Sequence, residues 1–291
     1  MTEETENIQS TYALECLLRA DLHSHTTFSD GALTPEQLML RAAQMQLELF
    51  AITDHDCIDA LTPARQAINR YNLTLNLISG VEITTKWHSF EIHILGLHFD
   101  ENDQDMLSAL AEQQRKRRLR AEKIAKKLAY LGINDLWQKV SNVSTTSISR
   151  VHFAKVLVAE NKCKNLQAAF TKYLGKNKRA FVSVDWLSIE QAIALINNAG
   201  GVACLAHPFH YDMKTKWLRR LFNDFSNAGG VAAELTHPRV SPTKMQVIQE
   251  IAIEHRLYAS IGSDFHAPNR WTELGRKLAI PKQFKPVWDA F

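Results

Sequence analysis

The residue types best able to do chemistry in this 291-residue chain share one pattern: a histidine or carboxylate closing a short apolar run. The set is Asp21-Leu22-His23-Ser24-His25, Ser29-Asp30-Gly31, Thr53-Asp54-His55-Asp56, Gly80-Val81-Glu82, Glu91-Ile92-His93, Ala206-His207-Pro208 and Gly262-Ser263-Asp264-Phe265-His266. Imidazole nitrogens and carboxylate oxygens bind borderline and hard divalent cations. One such group per strand end is how a barrel or an open α/β sheet gathers a site from distant parts of the chain.

His23 and His25 are two apart on an extended segment, so both rings leave the same side as a chelating pair. The competing reading is a polar turn after a strand. Asp21 would join as a ligand or steady a ligand ring from behind. Asp264 and His266 repeat the spacing after the last apolar run, and Glu82 has two oxygens that could bridge two cations. His93 and His207 also read as a hydrogen-bonded core residue and a turn residue; for His93 the shared strand face with Glu91 favours a ligand. Asp30 and His55 complete nine candidates: His23, His25, Asp30, His55, Glu82, His93, His207, Asp264 and His266. Nine are too many for one ion. Two or three cations roughly 4 Å apart would form a clamp for phosphoryl transfer to water. A nitrogen and oxygen shell without thiolate suits Mn²⁺, Fe²⁺ or Zn²⁺ better than Mg²⁺ or Ca²⁺. Most of the remaining histidines (His88, His98, His152, His210, His237 and His255) read as surface or loop residues.

The elements that must position these groups alternate. Residues 17–22 read as a strand; Thr34-Pro35-Glu36-Gln37 starts a helix with a capping threonine and glutamine. Strands are expected over 49–53, 73–81 (ending at Glu82) and 90–99, and a helix over 63–71, with parallel pairing throughout. Residues 107–131 read as one long helix with eight Lys or Arg between Arg115 and Lys127, 134–149 as a polar stretch, and 150–173 as helical again. After Ser188, strand and helix alternate to the end. The sum is seven strands around one core, an α/β barrel-like fold over residues 15–100 and 186–291. A disordered leader (1–14) and an inserted, mostly helical subdomain (101–185) complete the division.

Apolar residues make up 45% and charged residues 22%, an ordinary soluble composition, and a net charge of +3 neither demands nor excludes a polyanion. The four cysteines, Cys16, Cys57, Cys163 and Cys204, form no C-x-x-C, which argues against a thiolate site and suits a reducing compartment. No run is long and apolar enough for a membrane span and no signal peptide is evident, so a cytoplasmic location is expected.

In this order, D-L-H-S-H-T-T-F-S-D-G, I-T-D-H-D, G-V-E-I, H-I-L-G, L-A-H-P and G-S-D-F-H resemble the PHP (polymerase and histidinol phosphatase) family over nearly the whole chain. The resemblance implies a distorted (β/α)₇ TIM-like barrel, the PHP fold, with a trinuclear site. One metal would take His23, His25, Glu82 and Asp264; a second Glu82, His93 and His207; a third Asp30, His55 and His266. Glu82, Asp264 and His266 would bear on catalysis. Mn²⁺ is the first choice of cofactor. Within the family the chain is similar to the bacterial group that hydrolyses nucleoside 3′,5′-bisphosphates and trims short RNA from the 5′ end (RNase AM type). The signals are the insert, Ser149-Arg150-Val151-His152-Phe153-Ala154, and Trp271-Thr272-Glu273-Leu274-Gly275-Arg276-Lys277. That implies attack by a metal-activated hydroxide on the 5′-phosphorus of a small nucleotide or short RNA, with no membrane and no obligate protein partner. Pro208-Phe209-His210-Tyr211 departs from the group, which usually has an arginine before the tyrosine; either His210 replaces that contact or phosphate affinity is reduced. Arg150 and His152 at a helix start, with Arg117 and Arg120 three apart on one helix face, would hold the phosphate that is not attacked. For Arg150 and His152 a solvated helix end is the competing reading, and the Arg115–Lys127 run as a whole reads as a solvated helix face. Two other functions stay open: a phosphatase for another monoester such as histidinol phosphate, and a non-enzymatic accessory module.

Overall fold

The computed structural model describes residues 18–142, 146–237, 239–269 and 272–291. The expected leader, Cys16 and Trp271 lie outside them. Among the described residues no helix is long and apolar enough to cross a membrane.

Short apolar runs make short parallel strands first. β1 (Ala20–Asp21), β2 (Leu49–Ala51) and β3 (Asn76–Ile78) pair side by side in that order. The helices between them, α1 (Pro35–Gln44) and α2 (Leu61–Tyr71), return the chain across one face. α1 starts as its sequence dictates: Thr34 Oγ1 accepts from the Gln37 N–H at 3.2 Å, and Gln37 Oε1 accepts from the Thr34 N–H at 3.0 Å.

The next segment departs from the expected parallel pattern. Residues 73–81 do not form one strand ending at Glu82. The chain bends after β3 and continues as β4 (Gly80–Trp87), with Glu82 two residues inside it. β4 pairs antiparallel with β5 (Phe90–Leu97), because no helix lies between Glu82 and His93 to carry the chain back. His88, at φ 51°, makes the tight turn.

The insert is helical but broken: α3 (Gln104–Ala129), α4 (Leu136–Ser141), α5 (Arg150–Ala159) and α6 (Leu166–Ala169), the last running into a π-helical turn (Phe170–Leu174). The single helix expected over 150–173 is interrupted where Asn161 takes a left-handed backbone (φ 56°) and Asn165 caps a new start. Strand and helix alternation then resumes with β6 (Leu187–Ser188), α7 (Ile189–Asn198), β7 (Val202–Leu205), α8 (Thr215–Asn227), β8 (Ala232–Glu234), α9 (Pro242–Glu254) and β9 (Tyr258–Ser260). These strands join β4 and β5 in the order β6-β4-β5-β7-β8-β9.

Two irregular seams close the ring. The Leu22 N–H donates to the Ile261 carbonyl at 3.0 Å and the His25 N–H to the Phe265 carbonyl at 2.9 Å, tying β1 to β9. The Asp56 N–H donates to the Glu82 carbonyl at 3.0 Å, tying β2 to β4. With β3 and β4 sharing one place and β6 pairing only with Thr85 and Lys86 at the far end of β4, the other strands give seven places around the core, a distorted α/β barrel. Leu22, Ala51, Leu95, Cys204, Ala206, Ala232 and Ile261 fill its interior.

A separate apolar cluster draws only on residues 121–182, around Leu128, Phe153 and Leu157. α3 spans both: Met106 and Leu110 pack on the barrel, Ile124 and Leu128 in the second cluster. At the changeover Arg117 is buried, its Nε 2.6 Å from Asp56 Oδ2 and its Nη2 2.6 Å from Thr84 Oγ1. Removing one partner strands the other charge, so Asp56→Ala should cost about 3–5 kcal/mol in urea unfolding; a loss under about 1 kcal/mol would deny the pair this role.

Candidate metal centre

Each barrel strand delivers its polar residue to the same end. His23 and His25 follow β1, His55 follows β2, Glu82 and His93 stand inside the β4–β5 hairpin, His207 follows β7, and Asp264 and His266 follow β9. Asp30 arrives on a loop pinned by Asp54, whose carboxylate accepts from the Thr26 N–H at 2.7 Å, the Thr26 hydroxyl at 2.5 Å and the Ser29 hydroxyl at 2.5 Å. His207 (φ 30°) and Asp264 (φ 51°) hold left-handed backbone, costly for residues with a Cβ, and residues so strained gather at functional sites. Gly262 is required by crowding: a Cβ there would lie 2.2 Å from His23 Cβ and 2.5 Å from Glu234 Oε1.

Glu82, almost wholly covered, is the hub. Its Oε1 lies 2.7 Å from His93 Nδ1 and 2.9 Å from His207 Nε2. Its Oε2 lies 2.8 Å from His55 Nδ1, 3.4 Å from His25 Nε2 and 3.5 Å from His23 Nε2. Asp264 Oδ1 faces the same two rings, 3.4 Å from His23 Nε2 and 3.3 Å from His25 Nε2. Asp30 Oδ1 stands 3.2 Å from His266 Nε2 and 3.6 Å from His55 Nε2. The structure therefore brings all nine candidates together, in overlapping groups whose ligand atoms lie within 4.8 Å of one another.

Proximity here is not satisfaction. His23 Nε2, His25 Nε2, Asp30 Oδ1, His55 Nδ1, Glu82 Oε2 and His207 Nδ1 are buried without a hydrogen-bond partner. Buried polar atoms left unpaired are rare and costly, and six in one cluster form a donor set that fits divalent cations. Burial opposes the charge on His266, but Asp30 and Asp264 outweigh it and push its pKa up to about 10. His25, buried and beside His266, is pushed down to about 3.

Glu234 was missed by sequence reasoning. His23 Nδ1 lies 3.0 Å from Glu234 Oε1, an arrangement that keeps the His23 Nε2 lone pair toward the cluster, and the His207 N–H donates to Glu234 Oε2 at 2.5 Å. Its signal was available, since it closes the apolar run of β8 as the other candidates close theirs. Ser149 was missed as well: its hydroxyl donates to Asp30 Oδ2 at 2.9 Å.

Three expectations need correcting. Asp21 neither enters the cluster nor touches an imidazole; it accepts from the Ser263 N–H at 2.9 Å and the Gly275 N–H at 2.8 Å, fastening β1 to the last loop. His152 has no donor left for a phosphate: Nδ1 accepts from the Ser149 N–H at 2.9 Å, Nε2 lies 3.0 Å from the Ser29 carbonyl, and the ring is buried. The Arg115–Lys127 run is not one face, because Arg117 and Arg120 are buried while Arg115, Arg118, Lys123, Lys126 and Lys127 face solvent.

Arg117, Arg120 and Arg150 line a cavity of about 140 Å³ together with Asp30, His55 and His93. Glu91 holds two of them, at 2.7 Å from Arg150 and 3.3 Å from Arg120. Burial opposes its charge, yet Arg150 and Arg120 bring its pKa down to about 2. His210 is exposed, its ring stacked 5.6 Å from that of His207. A larger cavity of about 450 Å³ beside Asp59 and Glu101 contains none of the nine, so volume does not mark the site.

Fold and site together are those of a hydrolytic α/β barrel built to hold divalent cations beside a basic pocket. The chain belongs to the PHP domain family, whose model matches residues 21–254. It is 44% identical over 270 residues to the 5′-3′ exoribonuclease Rnm of Escherichia coli K12, covering 92% of each chain. It is 36% identical over 271 residues to the 3′,5′-nucleoside bisphosphate phosphatase of Chromobacterium violaceum, covering 92% of this chain and 94% of that one. A solved amidohydrolase from Chromobacterium violaceum, with bound sulfate and no metal, superposes with a TM-score of 0.87 at 36% identity, over 94% of this chain and 95% of that one.

Ligands that bind only the folded state stabilise it, by about 2.7 kcal/mol at a hundred times Kd. Mn²⁺ added to EDTA-treated protein should therefore raise Tm, and Gly262→Ala, which displaces His23, should abolish the rise. A Gly262→Ala protein that gains as much as wild type in a thermal scan would contradict this site.

Proposed function

We propose that this chain is a metal-dependent phosphoesterase that hydrolyses nucleoside 3′,5′-bisphosphates and trims short RNA from its 5′ end. The observation that carries the reading is the opening of a three-arginine cavity onto the His/Asp/Glu cluster. Two or three divalent ions, Mn²⁺ first, would be held by His23, His25, Glu82 and Asp264, by Glu82, His93 and His207, and by Asp30, His55 and His266. When bound they supply Lewis-acid charge neutralisation and water activation.

The chain's own groups do the rest. Arg150 and Arg120 offer guanidinium forks for the phosphate that is not attacked, and Arg117 adds positive charge from a fixed position. His266 and Asp264 are the cluster members with the most open side chains, at 35% and 25% exposure, which sets them nearest an entering water and a departing oxygen. Glu82 is covered and acts by holding the site together. Residues 101–185 act as lid and specificity element, since Ser149 and Lys155 reach from α5 onto Asp30 and its carbonyl. We place the work in the cytoplasm, where the free Cys57, Cys163 and Cys204 suit a reducing medium.

One bond reconciles the two activities. Stepwise trimming from the 5′ end breaks the ester at the 3′ oxygen of the first nucleotide, and a nucleoside 3′,5′-bisphosphate carries the smallest version of it. We therefore put that ester at the cluster and the 5′-phosphate in the arginine cavity, rather than attack at the 5′-phosphorus. Adenosine 3′,5′-bisphosphate should yield adenosine 5′-monophosphate with Mn²⁺, far faster than histidinol phosphate is hydrolysed; adenosine 3′-monophosphate as product would reverse the orientation, and equal rates would remove the nucleotide assignment. His23→Ala should abolish turnover with the fold retained by circular dichroism. Arg150→Ala should raise KM for the bisphosphate about tenfold or more while p-nitrophenyl phosphate changes little; equal effects would take Arg150 out of substrate binding.

A further inference from the structure

We propose that a second cavity, beyond Glu91 and Arg150, is the subsite for the nucleobase of the 5′-terminal nucleotide. This rests on the reading of the substrate as a nucleoside bisphosphate or RNA 5′ end. The cavity measures about 290 Å³ and shares only Glu91 and Arg150 with the arginine cavity, so the Glu91–Arg150 ion pair stands at the boundary of the two. Its walls change character. Phe90 from the barrel hairpin, Phe181 from the insert and Trp186 line it, with Lys86 and Lys176 beside them.

The two sides of this groove are tied together. Lys176 donates to the Ser89 carbonyl at 2.7 Å and lies 5.6 Å from the centre of the Phe90 ring. Trp186 is fixed from behind: its Nε1 donates to Glu91 Oε2 at 3.4 Å, and Arg117 and Arg120 lie 5.5 Å from its ring. Phe90 and Phe181 are only partly covered and keep surface for a further ring. A phosphate alone has no use for two part-open phenyl rings beside a buried indole. A planar heterocycle joined to a phosphate on Arg150 does, because every base offers a π-face, and such stacking tolerates any base identity. Cations at the rim complement the adjoining phosphates. The groove also gives the insert a task that the cation cluster does not, since Phe181 lets the enzyme tell a nucleotide from another sugar bisphosphate.

The test compares two substrates differing only in the base: adenosine 3′,5′-bisphosphate and 1,4-anhydroribitol 3,5-bisphosphate. Wild-type enzyme with Mn²⁺ should lose about tenfold or more in kcat/KM, through KM, when the base is removed. Phe181→Ala and Phe90→Ala should lose a similar factor with the base-bearing substrate and nothing with the base-free one. Wild-type indifference to the base, or equal losses on both substrates, would overturn the subsite. Binding gives a second readout: without metal, adenosine 5′-monophosphate should quench tryptophan fluorescence where ribose 5-phosphate does not, and Phe181→Ala should weaken that quenching. If neither bisphosphate is turned over, the proposed activity fails; base-specific quenching would still support the groove, and its absence would overturn it.

Discussion

The structure depends on one concentration of buried charge. Glu82 lies under the barrel mouth with imidazoles of His93, His207, His55, His25 and His23 at 2.7–3.5 Å, and Asp264 and Asp30 complete the shell. Ionised groups taken out of water are costly unless paired, and close pairing without good hydrogen-bond geometry only partly offsets that cost. Much of the architecture serves to make this arrangement tolerable. The strained backbone at His207 and Asp264, the bare Gly262 and the tight packing of Glu234 behind His23 belong to the same constraint. Divalent cations held there would relieve it by giving the orphaned nitrogen and oxygen atoms a common partner.

The insert is tied into that same constraint. From α5, Ser149 bonds the Asp30 carboxylate, Lys155 the Asp30 carbonyl and His152 the Ser29 carbonyl. From α3, Arg117 bonds Asp56, one residue beyond His55. Two of the three arginines that face the cavity are balanced by Glu91 on the strand that also carries His93. The arginine cavity and Asp30 are thus joined through a few short contacts, which support the proposal that residues 101–185 do more than cover the site.

Much of the site was legible because the rule behind it is local. A polar residue that closes an apolar run is visible without knowing the fold, and His23, His25, Asp264 and His266 announce themselves by spacing. The capping box at Thr34 was legible for the same reason. The hairpin was not, because apolar runs reveal strands but not direction; only the missing helix between Glu82 and His93 pointed to it. His152 and Asp21 misled because partners decide their roles, and those partners lie far away in sequence: Ser29 is 123 residues from His152, and Ser263 is 242 from Asp21. Glu234 stayed hidden for the same reason, 211 residues from the ring it orients.

The central claim is that Glu82 joins cations rather than hydrogen-bonding a ring of histidines. Crystals grown with Mn²⁺ and measured at the manganese edge would test it most directly. The account predicts anomalous peaks on both sides of the Glu82 carboxylate, one shared with His23, His25 and Asp264 and one with His93 and His207. A map with no peak within coordination distance of Glu82, at full Mn²⁺ loading elsewhere on the chain, would contradict it.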